Sequence, residues 1–213
     1  MLKPKSASIS RATVDRLPLY FRTLRLIKSE GSEIVSSEEL GHRIGVTPEQ
    51  IRKDLAGFGA FGKKGVGYHV SELINHIGTI LGLDRRWRIA IAGVGHLGWA
   101  LANYRNFVSL GFRLTALFDS NPAIVGQVIN GVDVLPAADL EKIVAERGIQ
   151  IGVIAVPASE AQLLADRMVA AGVRGIWNFA PVRIKVPDSV QLVSEDLSVG
   201  LSTLSYHLRR QAK

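Results

Sequence analysis

Glycines at fixed spacing carry the clearest chemical signal in the chain. Gly93, Gly95 and Gly98 form a GxGxxG pattern directly after residues 88–92, an apolar run typical of a buried strand. Such glycines allow a tight turn and let the backbone approach a pyrophosphate, and the N–H groups of the following helix then bind phosphate. The residues predicted to bind a dinucleotide here are Gly93, Val94, Gly95, His96, Leu97 and Gly98.

A carboxylate stands at the spacing that this fingerprint requires. A second strand-like run, residues 114–118, ends in Asp119, 21 residues after Gly98. An acidic residue at this point accepts hydrogen bonds from the adenosine ribose. Asp119 would repel a 2′-phosphate, and Ser120 and Asn121 supply no arginine to receive one. The pattern therefore favours NAD(H) over NADP(H) as the cofactor.

Strand-like and helix-like segments alternate after this loop and must hold it in place. Helices are predicted at 99–110, 139–147 and 160–171, and further strands at 151–156 and 175–179. This alternation predicts an α/β fold built on a Rossmann-type, doubly wound parallel sheet.

Two loops at the carboxyl ends of these strands should line the cofactor cleft, because ligands of doubly wound sheets lie beyond that edge. The first loop contains Val156 and Pro157. The second follows Asn178 and contains Ala180 and Pro181. For Asn178, simple turn chemistry is an equally good interpretation.

Positive charge is concentrated in the first part of the chain. The 213 residues carry a formal net charge of +7, of which residues 1–86 contribute +5 and residues 87–213 contribute +2. Such an excess suggests a polyanionic partner for the first part. The character of the sequence changes near Asp84, where we place a domain boundary.

Composition excludes several classes of protein. A hydrophobic content of 47% allows a buried core and excludes general disorder. The chain has no cysteine, which excludes disulfides and thiolate metal sites, and we expect a soluble, cytoplasmic protein without a metal centre. Its apolar runs are far shorter than the ~20 residues of a membrane span, so no membrane partner is expected.

Capping patterns in the basic part predict two helices joined by a tight turn. Ser36 and Glu39 have capping-box spacing, and Thr47 precedes Pro48 at the start of a second helix. With a turn at Gly45 between them, they form a helix-turn-helix, whose second helix enters the DNA major groove.

Two more amphipathic segments flank this pair. Residues 9–30 have one apolar face, and we expect Pro18 to kink or restart the helix there. Ser71 is predicted to cap a later helix that turns Ile80 inward.

Polar residues on the second helix of the pair are candidate DNA contacts. Asp54 follows Arg52 and Lys53 and is expected to position them. A glycine-rich stretch then resembles a wing with a basic tip, which can reach phosphates. A solvated helix face is the alternative. The candidate DNA-binding residues are Arg11, Arg16, Gln50, Arg52, Lys53, Lys63 and Lys64.

A leucine stripe marks the final segment of the chain. Leu197, Leu201, Leu204 and Leu208 recur at helical spacing and form one apolar face. The sequence leaves open whether this helix covers its own sheet or lies on a partner.

The whole pattern resembles the Rex family of redox-sensing transcriptional repressors over essentially the full chain. The matching stretches are 9–11, 16–20, 50–54, 62–68, 118–119 and 176–181. The resemblance implies a homodimer that binds operator DNA when NADH is scarce and releases it when NADH binds. It also implies that the final helix is exchanged between subunits.

Further site residues and domain roles follow from the same resemblance. Tyr104 and Asp196 match a tyrosine and an aspartate that lie near the nicotinamide, one from each subunit. The implied domains are a winged-helix DNA-binding domain at 1–84, an NAD(H)-binding domain at 85–195 and a dimerisation helix at 196–213.

Two other functions are compatible with the fold. A small NAD-dependent dehydrogenase would need a general acid or base beside the nicotinamide. Within and after the fingerprint, the histidines are His96 in the phosphate loop and His207 on the final helix, both poor places for such a group. We therefore expect a regulator without enzymatic activity. A regulator that senses CoA or another nucleotide is the remaining alternative.

Overall fold

The computed structural model describes residues 10–59, 62–63 and 65–211. The chain divides into two compact units, Met1–Arg85 and Arg86–Lys213. Within these described ranges, no helix has both the length and the apolar character needed to cross a membrane.

The first unit combines helices with a small antiparallel sheet. In chain order its described elements are α1 (Arg11–Ser29), β1 (Ile34–Val35), α2 (Ser37–Ile44), α3 (Pro48–Ala56), β2 (Gly62–Lys63), β3 (Gly67–His69) and α4 (Val70–Ile80). The strands lie in the order β1-β3-β2. Leu17, Tyr20, Leu24, Leu40 and Leu55 are among the buried residues that join helices to sheet.

Side-chain caps begin both helices of the predicted pair. The Ser36 hydroxyl accepts from the Glu39 N–H at 3.0 Å, and the Thr47 hydroxyl accepts from the Gln50 N–H at 3.3 Å. Gly45 ends α2 with a φ of 69°, a left-handed conformation that glycine adopts without strain. The predicted winged helix-turn-helix is confirmed.

Two helices differ from the sequence-based expectation. Helix α1 continues through Pro18, so it does not restart there, and Leu17, Tyr20 and Leu24 are buried on both sides of the missing N–H. Helix α4 begins at Val70 rather than after Ser71, since the buried Val70 donates its N–H to the Glu33 carbonyl.

The C-terminal end of α4 also differs from the sequence-based expectation. Ile80 was expected to face inward, but its side chain is exposed.

The second unit is built on a seven-stranded sheet. Its described elements are β4 (Trp87–Ala92), α5 (His96–Ala102), α6 (Asn106–Ser109), β5 (Phe112–Asp119), β6 (Val128–Ile129), β7 (Val132–Pro136), α7 (Leu140–Glu146), β8 (Ile151–Ile154), α8 (Ala158–Ala170), β9 (Gly175–Asn178), β10 (Gln191–Ser194) and α9 (Leu197–Gln211).

The strands lie in the order β10-β9-β8-β4-β5-β7-β6, and neighbours pair in parallel except for the antiparallel pair of β6 and β7. Without β6, this is the 3-2-1-4-5-6 order of dinucleotide-binding sheets. The order reverses between β4 and β8. The predicted doubly wound α/β fold is confirmed, and its switch point lies beside the glycine loop.

The helix after the glycine loop is shorter than predicted. A single helix was expected over 99–110, but α5 starts at His96 and stops at Ala102, and the short α6 follows after a break. At this break the Asn103 side chain donates to the Trp99 carbonyl at 2.9 Å, a local bond of the kind that competes with regular helix.

Candidate functional site

The phosphate loop (residues 93–98) uses each of its glycines differently. Gly93 has a φ of +89°, and a Cβ there would collide with the Ala155 carbonyl oxygen. A Cβ on Gly98 would collide with the Gly93 carbonyl oxygen, so close packing of α5 on the strand end requires glycine. Apart from its neighbours in the chain, no described residue has an atom within 4 Å of a Cβ built on Gly95, which leaves open space where a phosphate approaches.

The Asp119 carboxylate lies at the carboxyl end of β5 and is held from two sides. Its Oδ2 accepts from the Val94 N–H at 2.7 Å, and its Oδ1 accepts from the Asn121 N–H at 2.8 Å. A carboxylate offers about four lone-pair sites, so two donors leave capacity for ribose hydroxyls. The Asp119 side chain is thus fixed to the phosphate loop and can still accept further hydrogen bonds.

The loop after β8 lies next to the phosphate loop. The Ala155 N–H donates to the Ala92 carbonyl at 2.8 Å, and a Cβ on Gly93 would lie 2.7 Å from Val156 Cγ1. Val156 is half-buried and Pro157 is exposed. The structure therefore brings this predicted loop to the switch point of the sheet.

Asn178 has a structural role in the turn that follows β9. Its side chain is fully buried, its Oδ1 accepts from the Ala180 N–H, and its Nδ2 donates to the carbonyls of Ala180 and Val182. The prediction that its side chain lines the cofactor cleft is therefore replaced by the turn interpretation. Ala180 is also buried, whereas Pro181 is exposed.

Tyr104 lies in the break between α5 and α6, with 51% of its surface exposed. Its hydroxyl accepts from the Asn106 side chain at 3.1 Å, and its ring contacts Phe107 edge-on at 5.0 Å. Phe107 in turn contacts Trp177, and the ring centroids lie 6.2 Å apart.

Asp196 begins the last helix. Its Oδ1 accepts from the Ser198 hydroxyl at 2.6 Å and from the Ser198 N–H at 2.8 Å. These two bonds lower the pKa of Asp196, so its carboxyl is ionised near neutral pH. The expected Tyr104–Asp196 contact joins two chains and stays a prediction.

The apolar stripe of α9 has no cover within the described part of the chain. Leu197, Leu201, Leu204 and Leu208 are between 59% and 72% exposed. Of the two alternatives, the structure therefore does not favour a helix that covers its own sheet.

The candidate DNA-binding side chains on α3 differ in how many contacts they make with the rest of the unit. Lys53 is exposed, and no ion-pair partner is found for it within the described ranges. The Arg52 guanidinium donates to the Ser37 hydroxyl at 2.8 Å and lies 3.4 Å from Glu38, so it is tied to α2. Arg11, on α1, is exposed.

The Asp54 cluster joins α3 to α1. Asp54 is 2% exposed. Its Oδ2 accepts from Arg16 Nε and from the Tyr20 hydroxyl, each at 2.6 Å. Its Oδ1 accepts from Arg16 Nη2 and Gln50 Nε2 at 2.8 Å and from the Thr13 hydroxyl at 3.2 Å. Asp54 therefore does not position Arg52 and Lys53, as the sequence suggested, because its side chain points into the unit.

The cluster holds Asp54 as a carboxylate. Burial alone would raise its pKa, but the hydrogen bonds from Arg16, Tyr20 and Gln50 outweigh it and lower the pKa to about 2. Burial and the bond to Asp54 raise the pKa of Tyr20. At neutral pH Asp54 and Arg16 therefore form an ion pair. The Asp54 carboxylate also accepts hydrogen bonds from neutral groups on Tyr20, Gln50 and Thr13.

The wing hairpin is only partly described. Strands β2 and β3 pair antiparallel, with Gly62 opposite Tyr68 and Lys63 opposite Gly67. The position of Lys64 and the side chain of Lys63 lie outside the described residues.

A winged helix-turn-helix followed by a dinucleotide-binding unit defines a DNA-binding regulator that responds to a nucleotide. Two family models match, "CoA binding domain" over residues 84–182 and "Putative DNA-binding protein N-terminus" over residues 8–56. The chain is 49% identical to the redox-sensing transcriptional repressor Rex of Roseiflexus sp. strain RS-1, over 92% of this chain and 90% of the relative. It therefore belongs to the Rex family of redox-sensing transcriptional repressors.

Other relatives agree with this assignment. Rex of Syntrophobacter fumaroxidans is 46% identical over 96% of this chain and 98% of its own. The crystal structure of RSP with beta-NAD+ and operator DNA has a TM-score of 0.91 at 43% identity, covering 97% of this chain and 95% of RSP. RSP with beta-NADH has a TM-score of 0.89 at 42% identity, covering 97% of both chains. Since the curated relatives are repressors, the predicted family and the expectation of a regulator rather than an enzyme are confirmed.

Proposed function

We propose that this chain is a cytoplasmic repressor that binds operator DNA as a homodimer and leaves it when NADH binds, so that it responds to the NADH/NAD+ ratio. One observation carries the proposal: an open phosphate loop tied to Asp119 occurs in the same chain as a winged helix. RSP, similar over nearly the whole chain, was crystallised with NAD+ and operator DNA and also with NADH.

The residues at the switch point fit NAD(H). The open space at Gly95 suits the pyrophosphate, and Asp119 has lone pairs left for the adenosine ribose. Val156 and Pro157 would border the cofactor from the next strand. The nicotinamide supplies the redox difference when bound, because its ring is cationic in NAD+ and neutral in NADH.

The redox readout is assigned to Tyr104 and Asp196. Both forms of the cofactor share the adenosine half, so only groups near the nicotinamide can tell them apart. An ionised Asp196 favours a cationic ring, and the exposed Tyr104 hydroxyl is available to a second chain. The exposed stripe of α9 would bring that second chain into place.

A titration tests the function directly. Protein bound to DNA selected from random and genomic fragments is titrated with NADH, NAD+ or CoA at fixed salt. We expect NADH to release the DNA and NAD+ to oppose this release. Release by CoA but not by NADH would support the CoA-sensing alternative and contradict the proposal.

Asp119→Ala is expected to weaken NADH binding by about ten- to a hundredfold, because charge-assisted hydrogen bonds to the ribose are lost. NADPH binding should change much less, since the carboxylate that repels its 2′-phosphate is also removed. Calorimetry with both cofactors measures the change in preference. Asp133→Ala is the matched control, because this exposed aspartate lies near the amino end of β7. An unchanged preference for NADH in Asp119→Ala would refute the assignment.

A further inference from the structure

Gln50 occupies a position where the first turn of a recognition helix can reach bases. It is the third residue of α3, its N–H is bound by the Thr47 cap, and its side chain is half-buried. In a helix-turn-helix, side chains at the start of the second helix contact base edges in the major groove.

The Asp54 carboxylate fixes the orientation of the Gln50 amide. Gln50 Nε2 donates to Asp54 Oδ1 at 2.8 Å. An ionised carboxylate only accepts hydrogen bonds, so the opposite orientation would place two oxygens against each other. Arg16 and Tyr20 hold Asp54 in the interior and keep it from turning to follow the amide.

This orientation leaves the amide oxygen for an outside partner. In the described part of the chain, Gln50 Oε1 has no hydrogen-bond partner. No buried side-chain oxygen or nitrogen there lacks a partner, so Oε1 reaches the surface. The outer edge of Gln50 is therefore an acceptor, and its nitrogen is drawn towards the interior.

We propose, on the basis of the proposed repressor function, that Gln50 is a specificity-determining residue that reads an exocyclic amino group, adenine N6 or cytosine N4, through Oε1 alone. Glutamine in general reads adenine with both amide atoms, accepting from N6 and donating to N7. Here Gln50 Nε2 donates to Asp54 instead, so it is not available to donate to adenine N7. Asp54 is thus a positioning residue for base recognition.

Selection from random duplex DNA locates the contact. Full-length wild-type protein, Gln50→Met and Gln50→Ala each select sequences at one salt concentration. We expect both variants to lose the preference at one base pair in each half-site and to keep the others. Glu72→Gln, at the exposed start of α4, is the matched control and should keep every preference. Identical preferences in wild type and both variants, or folded variants that bind no sequence, would overturn the proposal.

Base analogues at the located position then identify the atom. Replacing the base by its analogue without the amino group, purine for adenine or 2-pyrimidinone for cytosine, should weaken wild-type binding by about tenfold and Gln50→Met binding not at all. If the base is adenine, 7-deazaadenine should leave wild-type binding unchanged. Two results would contradict reading through Oε1 alone. The first is that 7-deazaadenine weakens wild-type binding as much as removal of the amino group does. The second is that removal of the amino group weakens the binding of the wild type and of Gln50→Met equally. If the wild type selects no sequence, it is the proposed function that fails.

Discussion

Asp54→Ala is expected to lower the free energy of unfolding of the first unit by about 3 kcal/mol. This is the low end for breaking a buried ion pair, because the Arg16 side chain is 27% exposed and regains some water. The substitution also leaves the buried Tyr20 hydroxyl without its acceptor. Hydrogen exchange at the amides of α1 and α3 measures the loss.

The effect should be confined to the first unit. The three tryptophans all lie in the second unit: Trp87, Trp99 and Trp177. The unfolding transition that their fluorescence reports should therefore keep its midpoint denaturant concentration in Asp54→Ala. Glu39→Ala is the control, because it removes an exposed ion pair with Arg43 and should change stability by under about 1 kcal/mol. Unaltered exchange in α1 and α3 of Asp54→Ala would show that the cluster does not stabilise the unit.

The same contribution should depend on pH in a defined direction. The pKa of Asp54 is about 2 in the folded chain, below the ordinary aspartate value of about 3.9. Its stabilisation is therefore complete above about pH 5 and is lost as the pH falls through the folded pKa. The stability difference between the wild type and Asp54→Ala should narrow over that range.

Removing α9 is expected to abolish the dimer and to weaken operator binding by about 10²–10⁴-fold, which is the gain from engaging two half-sites together. The stripe of exposed leucines has no cover in the described part of one chain, so a second copy is the proposed cover. A chain that ends at Asp196 should sediment as a monomer.

A milder pair of variants separates the apolar contact from the loss of the helix itself. Leu201→Ser with Leu204→Ser should dissociate the dimer, whereas Ser202→Ala with Ser205→Ala should not. A truncated chain that still sediments as a DNA-binding dimer would place the dimer contact elsewhere.

Local chemistry explains why the phosphate loop and the caps could be predicted from sequence. At Gly93 and Gly98 any Cβ would collide with backbone atoms, so only glycine fits and its presence in the sequence indicates a tight loop. Ser36 and Thr47 bond to amides three residues away, and such short-range bonds leave a readable pattern.

The β6–β7 hairpin was missed although its signal is present. Asn130 and Gly131 have φ values of 51° and 76°, as a two-residue hairpin turn of the primed type requires. Asn-Gly between apolar residues is a strong hairpin pattern, so this element was predictable. Strand β10 differs, because three of its four residues are exposed and it has no apolar alternation.

The Asp54 cluster could not be predicted in the same way. Arg16 and Tyr20 lie 38 and 34 positions before Asp54, so only the packing of α1 against α3 brings them together. From sequence alone, an aspartate next to Arg52 and Lys53 suggested a local pairing. The fold instead buries Asp54 and turns the neighbouring cations outward.

The bond between the Asp119 carboxylate and the Val94 N–H also bears on the kinetics of cofactor exchange. Because this bond already holds the phosphate loop to the end of β5, little of the loop remains to be ordered when a dinucleotide arrives. NADH and NAD+ should then associate at similar rates, and any difference in affinity should lie in their dissociation rates. The time that a cofactor stays bound, rather than the speed of its arrival, would carry the redox signal.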